Sequence, residues 1–121
     1  MPAGLEAMLL VGLGGTIGAC LRYIVSGTLP MLKGIPTGTL LVNVIGSTIL
    51  ATLTFISEPF GSIHLINIGM LGSFTTFSTF AYETFRLLEE GQKILFASNI
   101  ALNLLLCLSG VFIGQQIASL I

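Results

Sequence analysis

The residues with the most chemical potential in this sequence form one short stretch, GSFTTFSTF, at positions 72–80. Phe74, Phe77 and Phe80 recur at every third position, and hydroxyl side chains occupy most of the positions between them. Hydroxyls that bond to nearby backbone compete with helical bonding, and the glycine at position 72 weakens a helix further. The stretch therefore predicts an interrupted helix, whose freed carbonyl oxygens could coordinate a small hard cation such as Na⁺.

Two kinds of side chain in and near this stretch could contact an anion. Phe77 and Phe80 share one helical face, and the edge of a phenyl ring is electropositive, although aromatic residues at this spacing are also typical of ordinary core packing. Asn43 lies in the apolar run TLLVNVIGS, with Thr39 one helical turn before it. The Asn43 amide can donate two hydrogen bonds. They serve either an inter-helix contact, worth about 0.6 kcal/mol, or an anion pathway.

Other polar residues also interrupt the apolar sequence. Arg22 lies near the end of an apolar run, where it acts either as an interfacial anchor or as a vestibule cation that concentrates anions. Glu83 and Arg86 are three residues apart and could pair on one helix. The last apolar segment carries a polar stripe spaced by one helical turn, which either lines a polar track or seals a helix interface. The members of this stripe are Asn99, Asn103 and Cys107.

The composition indicates that all these groups are positioned by membrane helices. Hydrophobic residues make up 54% of the 121 residues, charged residues only 7%, and the mean hydropathy is +1.03. Soluble proteins carry about 25% charged residues. Because a membrane span needs about 20 apolar residues, the charge-free runs predict an all-α membrane protein with four transmembrane helices. The predicted spans are about 4–28, 37–57, 62–83 and 94–120, and the third is broken in the middle of the membrane.

The segments between the predicted spans are short, so consecutive helices are antiparallel and residues 1–121 form a single four-helix transmembrane domain. Gly14/Gly18 and Gly110/Gly114 are small-xxx-small pairs, which are typical of close helix packing in lipid. No basic patch indicates a nucleic-acid partner. All four basic residues fall on one side of the predicted membrane, which the positive-inside rule assigns to the cytoplasm. They are Arg22, Lys33, Arg86 and Lys93.

Four motifs resemble the Fluc (also called CrcB) family of fluoride channels: GGTIGACLRY at 14–23, GTLLVN at 38–43, GSFTTFSTF at 72–80, and the Glu83 that follows. The resemblance covers nearly the whole chain. It implies an antiparallel, dual-topology homodimer in the cell membrane, surrounded by lipid, with two pores each built from both subunits. It further implies export of cytoplasmic fluoride by passive electrodiffusion, with no enzymatic step.

The resemblance also implies roles for individual residues. A structural Na⁺ would be held by the backbone carbonyls of Gly72 and Thr75. Arg22 would lie near a vestibule, and Cys107 stands where a hydroxyl is expected, although a thiol is a weaker donor. The residues expected along the anion pathway are Asn43, Phe77, Phe80, Arg22, Thr39, Thr79, Asn103, Cys107 and Glu83.

Three other functions remain open at this point. A small four-helix multidrug-type exporter would need a membrane-buried carboxylate, and the first three predicted spans have no central Glu or Asp. A structural membrane protein would need neither Asn43 nor the Phe77/Phe80 pair. The one-sided distribution of Lys and Arg suggests a third alternative, in which the chain is one half of a heterodimeric fluoride channel and pairs with a homologous subunit of opposite orientation.

Overall fold

The computed structural model describes residues 3–56 and 58–121, and most of these residues are helical. Ser57, which ends the predicted second span, lies outside the described residues, as do Met1 and Pro2 of the predicted domain. The elements are α1 (Ala3–Thr28), α2 (Thr37–Thr54), α3 (Phe60–Ser62), a π-helix (Ile63–Leu71), α4 (Gly72–Phe74), α5 (Phe77–Glu89) and α6 (Lys93–Ser119).

Three of the described helices, α1, α2 and α6, are long and apolar enough to cross a membrane. The region of the predicted third span is divided among α3, the π-helix, α4 and α5, none of which has 18 residues. The nine residues of the π-helix are unusual, because this winding normally occurs as a single turn and often at functional sites. The region of the predicted third span thus differs in construction from the three long helices.

Glycine-assisted turns define two of the element ends. Between α1 and α2, Leu32 and Ile35 exchange two backbone hydrogen bonds of 3.0 Å around Lys33 and Gly34. Both of these central residues have positive φ, 53° and 87°, as a type I′ turn requires. At the end of α5, Gly91 has a φ of 75°, and the next amide, at position 92, bonds back to the carbonyl of Leu87 at 2.9 Å. This is a Schellman termination.

The first small-xxx-small pair packs α1 against the π-helix. A Cβ atom built on Gly14 would collide with the carbonyl of Leu65, and one on Gly18 would collide with the carbonyl of Met70. The two backbones are therefore in direct contact, as predicted for these glycines. Because both residue numbers rise together along the contact, α1 and the π-helix run in the same direction.

The second pair packs α6 against α2 in the same way. A Cβ atom on Gly110 would collide with Thr48 Oγ1, and one on Gly114 would lie 2.5 Å from the Thr48 carbonyl and 2.9 Å from Cβ of Ala51. These two helices also run in the same direction. First-with-third and second-with-fourth parallel packing is what four alternating membrane crossings produce.

The outer surface of the described residues is rich in large apolar side chains. Met8, Ile94 and Leu105 are 72%, 82% and 62% exposed. Water would not solvate so much hydrocarbon in a stable monomer, whereas lipid would. The buried interior, in contrast, is small and contains polar residues, among them Thr39, Thr84 and Asn99.

Candidate functional site

The chain between α4 and α5 is extended rather than helical. Thr75 has φ −82° and ψ 157°, and Thr76 has φ −149° and ψ 120°. The helical ladder therefore ends at Phe74 and resumes at Phe77. An extended segment leaves backbone N–H and C=O groups without helical partners, and these groups must bond elsewhere.

Asn43 on α2 supplies the partners for Thr76. Its Nδ2 donates to the Thr76 carbonyl at 2.9 Å, and its Oδ1 accepts from the Thr76 amide at 2.7 Å. The side chain thus bonds both backbone groups of one residue, as a neighbouring strand would. Because the amide nitrogen has two hydrogens, one N–H of Asn43 remains for another acceptor.

The side chain of Thr76 caps the N-terminus of α5. Its Oγ1 accepts from the Thr79 amide at 3.1 Å, which is a regular N-cap, and donates to the Thr79 hydroxyl at 3.0 Å. One threonine therefore has its backbone fixed by α2 and its hydroxyl fixed by α5. The hydroxyls of Thr76 and Thr79 form a short polar relay along the helix start.

α1 holds the other side of the interruption. Arg22 Nε donates to the Ser73 carbonyl at 2.9 Å, and Ser73 Oγ donates to the Gly15 carbonyl at 2.8 Å. Arg22 is half-buried and does not line the groove described below. Its guanidinium satisfies a carbonyl at the end of α4, a role that sequence reasoning did not assign to it.

Two carbonyls at the interruption have no such partner. Among the described residues, no hydrogen-bond donor reaches the carbonyl oxygens of Gly72 and Thr75. The amide of Thr76, which would close the next helical turn onto Gly72, is taken by Asn43. These are the two oxygens that the resemblance assigns to a cation.

A groove of about 430 Å³ runs along the interruption between α2, α5 and α6. None of its lining residues, all within the described part of the chain, is charged, and several offer hydroxyl, amide or thiol groups. They are Asn43, Ser47, Thr75, Thr76, Phe77, Phe80, Ile100, Asn103, Leu104 and Cys107. The groove thus unites five of the nine predicted pathway residues, Asn43, Phe77, Phe80, Asn103 and Cys107.

The two phenylalanines stand at one wall of this groove. Their ring centroids are 5.8 Å apart, and the ring planes make an angle of 55°. In this tilted arrangement the two rings do not stack face to face. The Phe77 side chain is 79% exposed, although it borders the groove. An aromatic ring so placed has a free face available for a second surface.

The polar stripe of α6 lies at the opposite wall. Asn99 Nδ2 donates to Thr84 Oγ1 at 2.8 Å, so this residue joins α6 to α5 and does not line the groove. Asn103 Nδ2 donates to the Asn99 carbonyl at 2.8 Å, while its own Oδ1 is buried without a partner in the described residues. Cys107 is half-buried one turn further on. The stripe therefore does both jobs: Asn99 seals an interface, and the two later residues face the groove.

A second cavity, of about 230 Å³, contains three more predicted pathway residues, Thr39, Thr79 and Glu83. Glu83 Oε1 is buried and has no hydrogen-bond partner among the described residues. The predicted pairing of Glu83 with Arg86 is wrong. Arg86 Nε instead bonds to Glu90 Oε1 at 3.1 Å on the exposed side of α5, while Glu83 turns inward.

Five residues that line the groove were not among the predicted pathway residues: Ser47, Thr75, Thr76, Ile100 and Leu104. Thr75 was predicted only as a cation ligand, and Ser47 and Thr76 add polar groups. Ser47 lies one turn after Asn43, a spacing that places both on one face of α2. Thr76 contributes through its backbone, which leaves no sequence signal, but a threonine at the start of a helical pattern is an N-cap signal. That signal could have located the start of α5.

The fold and the groove define a multi-pass helical membrane protein with an uncharged groove, which carries amide, hydroxyl and thiol groups among apolar side chains, beside an interrupted helix. Residues 9–115 match the family described as "CrcB-like protein, Camphor Resistance (CrcB)". This match covers most of the chain. The chain belongs to the CrcB family, which confirms the resemblance inferred from its motifs.

The curated relatives are similar in length to this chain. It is 61% identical to "Fluoride-specific ion channel FluC 1" of Methanosarcina barkeri over 113 residues, 93% of this chain and 97% of the relative. It is 47% identical over 118 residues to "Fluoride-specific ion channel FluC" of Shewanella oneidensis, with 91% and 94% covered. The protein of that name from Methanococcus aeolicus is 44% identical over 115 residues, with 92% and 94% covered. These names describe ion channels, which are not an enzyme class.

Proposed function

We propose that this chain conducts fluoride through the membrane by passive electrodiffusion and that the groove is one wall of its pathway. The observation that carries the proposal is the meeting of Asn43, the Phe77/Phe80 pair and the α6 stripe in one uncharged groove beside the interruption. The relatives named as fluoride-specific channels support the choice of ion.

The groove suits a small anion that gives up its water. The free N–H of Asn43 and the hydroxyl of Ser47 are donors that can replace water around fluoride. Phe77 and Phe80 offer electropositive ring edges, which attract an anion weakly enough to let it leave. Without a fixed positive charge in the lining, fluoride has no deep energy well in which to stop. A larger halide gains less from the same closely spaced donors.

The pathway would continue from the groove into the cavity that contains Glu83. The hydroxyl contact between Thr76 and Thr79 links the two spaces, because Thr76 lines the first and Thr79 the second. Thr39 borders the second cavity on α2. In this arrangement Arg22 acts by fixing the interruption and by adding a positive field near it, without touching the ion.

The complete pathway would need a second subunit, packed antiparallel. The exposed ring of Phe77 and the open side of the groove supply a face on which such a subunit fits. Residues 60–89 would then cross the membrane as the third of four spans, with the Thr75–Thr76 interruption at mid-depth. Extended backbone at that depth is tolerated where protein or a cavity satisfies it.

The residues at the interruption also fit a structural Na⁺ at the two-fold axis. The carbonyls of Gly72 and Thr75 are hard oxygen donors without a described hydrogen-bond partner, and two subunits would together offer four of them. When bound, Na⁺ would supply the positive charge that these carbonyl dipoles lack. Melting temperatures that rise with Na⁺ concentration, but not with an organic cation at equal ionic strength, would support this site.

One specific observation favours the alternative of a heterodimer. Lys33, Arg86 and Lys93 lie in or beside the two connections that fall on one predicted side of the membrane, and the predicted spans assign Arg22, which lies within α1, to the same side. A chain that inserts in both orientations is expected to be balanced. A homologous subunit with the opposite bias would then complete the pathway.

Fluoride efflux from liposomes that contain only this purified chain tests the proposal. We expect efflux that depends on the protein, with little chloride efflux, and slower efflux in Phe80→Ile and in Asn43→Ala. Efflux in Phe80→Ile equal to that of the wild type would contradict the assigned pathway. Labelling of a terminal cysteine, introduced into a variant without Cys20 and Cys107, would distinguish the two assemblies. Labelling from both sides of the membrane indicates the homodimer, and labelling from one side only indicates the heterodimer.

A further inference from the structure

We infer that a second groove, between the α1–α2 connection, the first half of α2 and α6, binds an acidic phospholipid, with an acyl chain in the groove and the phosphate beside Lys33. This outer groove has a volume of about 450 Å³ and shares no lining residue with the groove beside the interruption. The inference concerns the outer surface of the protein, so it does not depend on the proposed function.

The walls of the outer groove are apolar. Leu32 of the connection and Leu41 of α2 are 65% and 39% exposed, and Leu106 of α6 is 41% exposed. The one hydroxyl in the lining, that of Thr37, donates to the Pro30 carbonyl and is therefore satisfied within the protein. Water gains no hydrogen bond from these side chains, whereas an acyl chain gains dispersion contacts.

The outer groove begins at the connection and ends where α2 and α6 meet. Along α2 it extends from Thr37 to Val44, about 10 Å, and the Val44 carbonyl lies 3.4 Å from a Cβ atom built on Gly110 of α6. The other end is formed by Leu32, between two helices that are long enough to cross a membrane. A lipid chain that enters beside this connection therefore has its headgroup at the level of residues 32–35.

The headgroup end of the outer groove carries Lys33, whose backbone is fixed. Lys33 directly follows Leu32 of the lining, and its turn rests on α6, where a Cβ atom on Gly34 would lie 2.6 Å from Leu95 Cδ1. Lys33 is the only non-glycine residue of the described chain with positive φ, and a turn of this type favours Asn, Asp or Gly at that position. A positive charge is the property that distinguishes lysine from those preferred residues.

No described carboxylate pairs with the lysines at this end of the groove. Lys33 and Lys93 are both exposed, and neither makes an ion pair with a described residue. Lys93 begins α6 two residues before Leu95, which contacts the turn. The preceding Glu90 bonds Arg86 instead. Two unpaired ammonium groups beside an apolar groove match an acidic lipid, because lysine stems follow apolar surface while their charges stay at the headgroup level.

The sequence contains no tryptophan, so a single introduced indole reports on its own surroundings. Leu41→Trp places this reporter in the outer groove, and Leu13→Trp places it on an exposed face of α1 as the control. Each protein is reconstituted into phosphatidylcholine vesicles with a minor fraction of phosphatidylglycerol, and one of the two lipids carries bromine, which quenches tryptophan on contact. We expect phosphatidylglycerol to be enriched beside the reporter at least about fivefold over its share of the bilayer in Leu41→Trp. No enrichment is expected in Leu13→Trp.

Variants of Lys33, made in the Leu41→Trp protein, separate charge from folding. Lys33→Gly removes the charge and relieves the positive φ, so the melting temperature should not fall. The enrichment of phosphatidylglycerol should nevertheless drop about fivefold, the contribution of one lysine near an anionic surface. Lys33→Arg keeps the charge and should keep the enrichment.

Each contrary result overturns a distinct part of the inference. Enrichment of neither lipid in Leu41→Trp overturns the preference for an acidic headgroup. A reporter in Leu41→Trp that neither brominated lipid quenches overturns the lipid site and indicates that protein, such as a second copy of this chain, covers the groove. Unchanged enrichment in Lys33→Gly removes Lys33 from the site. None of these measurements requires fluoride transport, so a failure of this inference is distinguishable from a failure of the proposed function.

Discussion

Helices α2 and α6 are in direct backbone contact along one part of their length and are separated by a groove along another. Gly110 and Gly114 let the α6 backbone rest on Thr48, which leaves no space between the helices. One to three turns earlier, Asn43 and Ser47 face Asn103 and Cys107 across a groove of about 430 Å³. One pair of helices can therefore both stabilise a membrane fold and form a groove that contains polar side chains. The choice between glycine and a polar side chain decides which occurs at each level.

A larger side chain at the direct contact between α2 and α6 should have the largest effect on stability. In Gly114→Val the new side chain would meet the Thr48 carbonyl at 2.5 Å and the Thr52 amide at 3.0 Å, neither of which can rotate away. We expect a loss of about 3 kcal/mol or more, close to failure of folding. The yield of monodisperse protein and its thermal unfolding in detergent measure this.

The matched control for this substitution is Gly12→Val. A Cβ atom at Gly12 has nothing within 4 Å, although this glycine also lies inside a long helix. We expect Gly12→Val to change stability by less than about 1 kcal/mol, since an exposed helical position responds mainly through propensity. Equal losses in the two variants would refute the close backbone contact at Gly114.

Removing the two hydrogen bonds between Asn43 and Thr76 should have the next largest effect on stability and efflux. Asn43→Ala leaves both backbone groups of Thr76 without their partners, at a cost of about 1–3 kcal/mol for each group that stays dry. It also removes one donor from the groove, which should slow fluoride efflux about tenfold, the equivalent of one hydrogen bond at the barrier. Efflux from liposomes and thermal unfolding separate the two losses.

The control for Asn43→Ala is Thr54→Ala. The Thr54 hydroxyl bonds back to the Leu50 carbonyl on the exposed side of α2, so its removal should leave efflux unchanged. A stable Asn43→Ala protein with full efflux would separate this amide from the pathway.

The composition and the small-residue patterns predicted much of this architecture. Charge-free runs indicated the long helices, and the glycine pairs indicated where they touch, because both depend on local sequence. The groove was predictable from the Asn43 position and the α6 stripe, whose one-turn spacing fixes a common face.

Backbone roles were less accessible to sequence reasoning. The Asn43–Thr76 and Arg22–Ser73 bonds join residues 33 and 51 positions apart and end on carbonyls, which every residue possesses. Nothing in the side-chain pattern of Ile63–Leu71 indicated a π-helix. The Glu83–Arg86 pair was mispredicted because Arg86 bonds Glu90, and spacing alone does not choose between carboxylates three residues before and four residues after an arginine.

Removing the bond from α1 to the interruption should have an intermediate effect. Arg22→Met keeps much of the side-chain volume but removes the donor to the Ser73 carbonyl. We expect a loss of about 1.5–3 kcal/mol, typical of a hydrogen bond to a charged group, and a smaller effect on efflux than that of Asn43→Ala. Thermal unfolding measures the contribution of Arg22 to stability through its bond to Ser73. Efflux at several ionic strengths measures its electrostatic attraction of anions. A stability equal to that of the wild type would contradict the bond.

The smallest effect should come from the exposed ion pair. Arg86 and Glu90 have side chains 66% and 52% exposed, so their pair contributes less than about 0.5 kcal/mol. Arg86→Gln should therefore leave the melting temperature almost unchanged, and thermal unfolding next to Arg22→Met checks this. A large loss would mean that Arg86 acts on the cavity around Glu83 and not only on its exposed partner.

Because Asn43 on α2 bonds the extended Thr76 and Arg22 on α1 bonds Ser73 just before the extended residues, this part of the molecule has little freedom to move like a gate. Ions crossing it would meet walls that already stand in their working positions. Passage through such a rigid conduit should speed up only modestly on warming, as diffusion does, and should not show the steep temperature dependence of transporters that must change shape in every cycle.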